Sequence, residues 1–373
     1  MTTPRGADLY LPVKFADVPG WTTDDHAAAL QAFRRSAPAV ILASTASSAT
    51  PSDAIVRSPQ LAQACAQAIA LAGDVETSAA RAFFERHFVA HRVIGGDVPG
   101  LLTAYYEPIL PGARVRSAEF NVPLHRRPDD LVTLIDDAAR GARADEITHG
   151  RRTPTGVVAY ASRREIDQGA LGGRGLELFY VADAVERFFL QVQGSGVIRL
   201  PDGEQVRVTY DGKNGYPYTS VGRYLIDQGA VSADDMSLEV LARWLRADPE
   251  RGRQAIWHNE SYVFFREMPG AAAPVGVMDV PLTPLRSLAL DAGIHALGSP
   301  VFVDAPAITH ITGRPFRQLM IGQDVGSAIR GRERGDIFAG SGPEAGRIAG
   351  ITKHPGVFYV LVAAPDNRPP SRP

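Results

Sequence analysis

From residue 100 onward, short apolar runs alternate with glycine- and proline-rich turns, and this pattern constrains the fold more than any other feature. The runs that predict strands are Leu101–Tyr106, Gly156–Tyr160, Phe188–Gln193, Gln205–Tyr210, Val301–Asp304, Gln318–Gln323 and Val357–Ala363. The 36 glycines and 28 prolines supply the turns, and Pro201-Asp202-Gly203 predicts a hairpin turn. Strands and helices do not alternate regularly, which argues against a Rossmann fold.

The first hundred residues have a helical pattern instead, with helical spacing or capping signals at Ala27–Phe33 behind Asp24 and Asp25, at Leu61–Leu71 and at Glu76–Val93. Two further helices are predicted among the later strands, at the capping box of Ser162 with Glu165 and at Ser237–Leu245. The sequence therefore predicts a mainly β protein with flanking helices, of the α+β class. At roughly 150 residues per domain, 373 residues predict two to three domains.

Charge and composition exclude several classes of function. The 39 basic and 41 acidic residues give a net charge of -2, so no field of one sign attracts nucleic acid. Apolar runs such as Ala39–Ala43 are far shorter than the roughly 18 residues that span a bilayer. The single Cys65 excludes an internal disulfide. His87 and His91 have a spacing that zinc allows, but a structural pair is favoured, so we expect no metal and no cofactor.

Three aspartates, Asp291, Asp324 and Asp336, stand out by their context. Asp324 and Asp336 lie 12 residues apart, enough for a strand, a tight connection and a return that places the two carboxylates side by side. Two like charges a few Å apart raise one pKa, and the apolar neighbours Ile337 and Phe338 are expected to raise that of Asp336 as well. A protonated carboxyl can give its proton to a leaving group. The alternative is that these aspartates cap glycine turns.

Polar and aromatic residues cluster in three further segments. The candidates for binding sugar hydroxyls, acetamides and ring faces are Thr103, Tyr105, Gln193, Ser195, Lys213 and Asn214. Only three lysines occur, Lys14, Lys213 and Lys353. Because arginine is the usual basic residue here, Lys213 in its Gly/Asn turn can be retained for the compact ammonium that only lysine provides. The alternative is hairpin turns with core tyrosines.

Several segments together resemble the membrane-bound lytic transglycosylase A family of bacterial cell-wall enzymes. They are LLTAYYEP from Leu101, PLHRRPDDL from Pro123, FFLQVQGSG from Phe188, YDGKNGYPYTSVGR from Tyr210, NESYVFFRE from Asn259, VPLTPLRSLALD from Val280 and QDVGSAIRGRERGDIFAGSGPEAG from Gln323. The resemblance implies a double-psi β-barrel formed by 1–104 and 266–373, with a three-aspartate module at about 285–363. A smaller β-barrel at 105–265 is inserted, and a glycan groove runs between the two barrels.

The resemblance also implies a reaction on peptidoglycan glycan strands. Family members cleave the β-1,4 bond between N-acetylmuramic acid and N-acetylglucosamine and form a 1,6-anhydromuramoyl product. Asp336 matches the single acid and base, Asp324 is expected to raise its pKa, and Asp291 to brace the barrel. We expect the six residues of the polar and aromatic segments to bind the glycan.

Localisation and partners follow from the same resemblance. We expect a monomer in the periplasm or at the outer membrane, facing the peptidoglycan, with other cell-wall enzymes as candidate partners. Met1–Tyr10 shows no apolar signal region, and Cys65 lies in a predicted helix, where it cannot serve as a lipid anchor.

Two alternatives remain open. The first is a glycoside hydrolase on the same fold, whose muramoyl product is heavier by one water. The second is a non-catalytic glycan-binding module, which binds isolated sacculi without releasing soluble muropeptides.

Overall fold

A computed structural model of the chain describes residues 9–45, 58–94, 100–134, 147–270, 273–326 and 328–364. They form two compact units. The first unit contains residues up to Ala104, Val275–Phe338 and those from Thr352 on; the second contains Tyr105–Pro274 and Ala339–Ile351. The predicted domain boundaries, 1–104 with 266–373 and 105–265, stay a prediction.

The described residues contain helices and strands in the following order. The helices are α1 His26–Thr45, α2 Pro59–Ala70, α3 Thr77–His87, α4 Arg163–Glu165, α5 Ala184–Gln193, α6 Val221–Asp227, α7 Leu238–Ala247, α8 Pro249–Trp257 and α9 Gly342–Ile351. The strands are β1 Tyr10–Pro12, β2 Phe88–Val93, β3 Leu101–Glu107, β4 Ile109–Ala113, β5 Val122–His125, β6 Leu131–Thr133, β7 His149–Thr153, β8 Gly156–Val158, β9 Glu177–Val181, β10 Ser195–Arg199, β11 Gln205–Lys213, β12 Val263–Glu267, β13 Ser287–Leu290, β14 Pro300–Ala305, β15 Phe316–Asp324, β16 Arg334–Ser341, β17 Lys353–His354 and β18 Val357–Ala363.

These strands form three sheets. A nine-stranded sheet has the order β1-β2-β18-β14-β15-β13-β16-β3-β17. A six-stranded sheet, β12-β11-β10-β4-β9-β5, and a three-stranded sheet, β6-β7-β8, belong to the second unit. The α+β class with a majority of sheet is confirmed, and no closed barrel is found among the described strands.

The middle of the nine-stranded sheet is buried on both faces. Phe302 of β14 and Leu319 of β15 pack into a core that contains Phe33 of α1. Val303 of β14 and Met320 of β15 belong to a second core, which we call the inner core. Because successive side chains of a strand point to opposite faces, strands buried on both faces have continuous apolar sequences.

The predicted strand over Phe188–Gln193 is wrong, because this segment is part of helix α5. The Asp183 carboxylate caps the helix by accepting a hydrogen bond from the Val185 N–H group, and Gly194 ends it with a φ of 80°. Val185, Phe188 and Phe189 are buried at helical spacing. A run of adjacent apolar residues fits a buried helix face and a buried strand equally well, and the cap at Asp183 decides between them.

The predicted helix over Glu76–Val93 is too long. Helix α3 ends at His87, and β2 begins at Phe88 with alternating buried and exposed side chains. This strand pairs with β18, and Arg92 lies opposite Tyr359. His87 and His91 therefore do not share a helix face, and the spacing argument for a zinc pair does not apply.

Other local predictions are confirmed. Ser162 and Glu165 form the capping box, and Ser237 caps α7 by accepting a hydrogen bond from Val240. The turn at residues 201–203 connects β10 to the antiparallel β11. Across the described ranges, no helix combines the length and the apolar character needed to cross a bilayer.

A buried ion pair joins the segment before α1 to the nine-stranded sheet. The Asp24 carboxylate accepts hydrogen bonds from both terminal nitrogens of Arg286 at 2.9 Å and from the Leu319 N–H group at 2.7 Å. The Asp24 and Arg286 side chains are only 3% and 7% exposed. Removing one partner leaves a buried charge without compensation.

We predict that Asp24→Ala lowers the free energy of unfolding by about 3–5 kcal/mol, measured by chemical denaturation. The control is Arg81→Ala on α3, which removes a half-exposed pair with Glu85. This control should lower the free energy of unfolding by only about 0.5 kcal/mol. If Asp24→Ala is no more destabilising than the control, the buried pair does not hold this segment to the sheet.

Candidate active site

Asp336 lies on β16 next to Thr103 of the neighbouring strand β3. The Thr103 hydroxyl donates a hydrogen bond of 2.5 Å to Oδ1 of Asp336. Ile337, the next residue on β16, is fully buried in the inner core. Because side chains alternate along a strand, Asp336 lies on the opposite face of the sheet, where it is half-buried.

The surroundings of Asp336 act on its pKa in opposite directions. Burial raises this pKa above the ordinary value for an aspartate, while the Thr103 hydrogen bond and the charge of Arg334 lower it. Arg334 precedes Asp336 by two positions on β16, so the two residues share a face. The result is a carboxyl group that holds a proton more readily than an exposed one and whose anion still has two stabilising partners.

Asp324 is not the direct neighbour of Asp336, so the predicted side-by-side placement is wrong. Ala289 of β13 pairs with Asp336 on one side and with Asp324 on the other. Strand β13 therefore separates the two aspartates, and at 4.7–4.9 Å per strand their backbones are about 10 Å apart. Oδ1 of Asp324 accepts hydrogen bonds from the N–H groups of Val277 and Val325.

This placement changes the explanation of the raised pKa. Burial raises the pKa of Asp336 most, in line with the predicted effect of its apolar surroundings, whereas the predicted repulsion by Asp324 is not among the causes. The two N–H contacts of Asp324 brace the chain where β15 ends. A contribution of Asp324 to catalysis stays a prediction.

Asp291 is buried and holds two chain segments together. Oδ2 of Asp291 accepts a hydrogen bond from Gly331, Oδ1 accepts one from Gly293, and the carboxylate pairs with Arg330 at 3.4 Å. These contacts support a bracing role for Asp291, which stays a prediction.

In the second unit, the predicted glycan-binding residues differ in exposure. Tyr105 and Gln193 are half-buried, and Oε1 of Gln193 accepts a hydrogen bond from the Tyr106 N–H group at 3.0 Å. Ser195 is buried at the start of β10, opposite Thr209. Gln193 thus holds the backbone next to Tyr105 in place. The sequence did not predict this structural role of Gln193.

Lys213 and Asn214 are both buried at the end of β11. The Asn214 amide donates to the backbone oxygens of Ala161 and Glu260 and accepts from the Tyr262 N–H group. These three bonds use the amide to brace the turn, so the structure does not present it to a ligand. A sugar contact by Lys213 or Asn214 stays a prediction.

The predicted site residues are divided between the two units. Asp291, Asp324, Asp336 and Thr103 belong to the first unit, and Tyr105, Gln193, Ser195, Lys213 and Asn214 belong to the second. Sequence reasoning missed Arg334, although its position two residues before Asp336 on a strand is a usable signal. Within the described ranges, no group of three or more His, Cys, Asp or Glu side chains could hold a metal ion.

Comparison with known proteins identifies the family. Residues 101–266 match the model of the MltA specific insert domain, and residues 286–362 match that of the 3D domain. The membrane-bound lytic murein transglycosylase A of Escherichia coli K12 is 35% identical over 269 residues, covering 70% of this chain and 66% of the relative. The aligned region thus spans just under two thirds of that curated relative's length.

Solved structures give the same assignment. A membrane-bound lytic murein transglycosylase from Agrobacterium tumefaciens has a TM-score of 0.83 and 35% identity, covering 95% of this chain and 98% of that one. The Escherichia coli protein with bound chitohexaose has a TM-score of 0.68 and 28% identity, covering 96% and 95%. The chain belongs to the membrane-bound lytic murein transglycosylase A family.

We predict that Thr103→Val raises the pKa of Asp336 further, because the hydroxyl stabilises the carboxylate and its loss disfavours the charged form. Thr103→Ser, which keeps a hydroxyl, should leave this pKa close to that of the unsubstituted protein. Carbon-13 NMR titration of the Asp336 carboxyl measures the change. A lower pKa in Thr103→Val would show that the bond does not favour the anion.

Proposed function

We propose that the protein is a lytic murein transglycosylase that cleaves the glycan strands of peptidoglycan. The observation that carries this proposal is the carboxyl of Asp336, half-buried, with a raised pKa and a bond to Thr103. Family membership supports it, since the relatives carry this name. The chitohexaose bound to the Escherichia coli relative supports a glycan as the ligand class.

The proposed reaction uses Asp336 first as an acid and then as a base. The protonated carboxyl, favoured by burial, gives its proton to the glycosidic oxygen between N-acetylmuramic acid and N-acetylglucosamine, and the bond from that oxygen to C1 breaks. The resulting carboxylate is stabilised by the Thr103 hydroxyl and the charge of Arg334. It then takes the proton of the muramoyl C6 hydroxyl as that oxygen attacks C1.

One carboxylate is sufficient for this sequence of steps. Glycosidases use two carboxylates because they must also activate water or form a covalent intermediate. Here the attacking hydroxyl belongs to the substrate, so its effective concentration at C1 is high and no water is activated. The product carries a 1,6-anhydro ring.

The finer architecture is part of the same proposal. We infer a double-psi β-barrel formed by 1–104 and 266–373, a smaller barrel formed by 105–265, and a glycan groove to which Tyr105, Gln193 and Ser195 contribute. We further infer a monomer in the periplasm or at the outer membrane, facing the peptidoglycan. The family resemblance supports these statements.

We predict that Asp336→Asn lowers muropeptide release from purified sacculi by at least about 10²-fold, because the amide can neither give the proton nor take it back. Asp324→Asn should lower release less, since β13 separates Asp324 from Asp336. Asp17→Asn, an exposed residue of the first unit, is the matched control for the charge change. Circular dichroism checks folding.

The products separate the proposal from its alternatives. Mass spectrometry should show muramoyl products lighter by one water than those of a hydrolase. Products at the hydrolytic mass identify a glycoside hydrolase, and binding to sacculi without release identifies a glycan-binding module. A well-folded Asp336→Asn that keeps more than about a tenth of the activity removes Asp336 as the catalytic acid.

We also predict that activity survives exhaustive treatment with chelators, because the proposed steps move protons and use no Lewis acid. Release of muropeptides before and after treatment with EDTA measures this. Activity lost on treatment and restored by added Zn²⁺ would contradict the proposed chemistry.

A further inference from the structure

A short strand extends the row of polar side chains that begins at Asp336. Strand β17 pairs with β3 in an antiparallel register that places Lys353 opposite Thr103 and His354 opposite Leu102. Directly opposed residues of an antiparallel pair point to the same face. Leu102 is fully buried in the inner core, so Thr103 and Lys353 lie on the other face, together with Asp336.

The row therefore runs Asp336, Thr103, Lys353 across β16, β3 and β17. The backbones of Asp336 and Lys353 are about 10 Å apart, which is two strand spacings. Lysine carries its ammonium on a flexible four-carbon stem, so Lys353 can reach a group bound beside Asp336. All three residues belong to the first unit.

The Lys353 ammonium is available to a ligand. Its side chain is exposed, and within the described part of the chain it takes part in no hydrogen bond or ion pair. Arginine is the cation of ion pairs at buried sites, such as Arg286 with Asp24, and at exposed sites, such as Arg243 with Glu239. Lys353 is one of three lysines among 39 basic residues, and its charge is not used in this way.

Lys353 does not serve as the charge partner of Asp336. Thr103 lies between the two residues, and the charge that lowers the pKa of the Asp336 carboxyl is that of Arg334. Asp336 and Asp324 lie at the same level of the sheet, on either side of β13, so neither supplies a positive charge to an anion bound there. A substrate with a carboxylate near this level gains from a cation beside them.

We propose that Lys353 binds a carboxylate of the substrate, so that this site recognises glycan with its anionic peptide attached, beyond the sugar rings. The inference rests on the proposed function, since peptidoglycan carries peptides with free carboxylates. N-Acetylglucosamine oligomers such as chitohexaose have no anionic group. The two kinds of glycan therefore separate a contact to the anionic lactyl-peptide substituent from a contact to the sugar rings.

The test measures binding in the Asp336→Asn background, where turnover does not consume the ligand. The ligands are chitohexaose and a peptide-bearing fragment of alternating N-acetylglucosamine and N-acetylmuramic acid with six rings. Lys353→Gln should weaken binding of the peptide-bearing fragment about fivefold and leave chitohexaose binding within about twofold, as for an exposed ion pair. Added salt should reduce the difference.

Matched variants exclude general effects of charge and folding. Lys353→Glu should weaken binding of the peptide-bearing fragment more than Lys353→Gln, and Lys353→Arg should restore it. Lys14→Gln removes the same charge just beyond β1, at the other end of the strand order, and should change neither affinity. Thermal unfolding of each variant checks that the fold is intact.

The outcomes distinguish this inference from the proposed function. If wild-type protein releases muropeptides but Lys353→Gln binds both ligands normally, or loses both equally, the role of Lys353 is overturned and the proposed function stands. If wild-type protein releases no muropeptides from sacculi, the proposed function fails and the inference fails with it.

Discussion

The alternation of side chains along β16 fixes the position of Asp336. Gly335 and Ile337 face the inner core, where Ile337 is fully buried and a side chain at Gly335 would collide with Phe358. A shift of the strand by one residue would bury the carboxylate and expose Ile337, so the packing of the core enforces the register. The chemistry of the site therefore depends on the apolar residues between which Asp336 stands.

The same geometry acts on the pKa of Asp336 in two opposite directions. Burial favours the protonated form, and Thr103 with Arg334 favours the anion. A carboxyl group that acts first as an acid and then as a base must be stable enough both with its proton and as the anion. Each stage of the proposed reaction uses one of these two forms. Lys353 extends the row in the direction away from Asp324, where we infer that it meets the anionic part of the substrate.

Local features of the fold could be predicted from the sequence to a large extent. The caps at Ser162 and Ser237 and the turn before β11 depend on neighbouring residues, and all three are found. The segment Phe188–Gln193 was harder, because adjacent apolar residues fit a buried helix and a buried strand equally.

The arrangement of the site was harder to predict from the sequence, because it depends on the order of the strands in the sheet. The insertion of β13 between β15 and β16 joins residues far apart in the chain, and nothing in the local sequence of Asp324 or Asp336 reports it. The bond between Thr103 and Asp336 has the same origin. The burial of Asn214 also escaped prediction, because its partners Ala161 and Glu260 come from distant segments.

The central claim is that the attacking oxygen comes from the substrate and not from water. Digestion of purified sacculi in water enriched in oxygen-18, followed by mass spectrometry of the muramoyl ends, tests it most directly. The account predicts that the new muramoyl ends carry no label, because the C6 oxygen closes the ring. Incorporation of one labelled oxygen at each new end would show that water attacks C1, and would contradict a reaction that Asp336 performs alone.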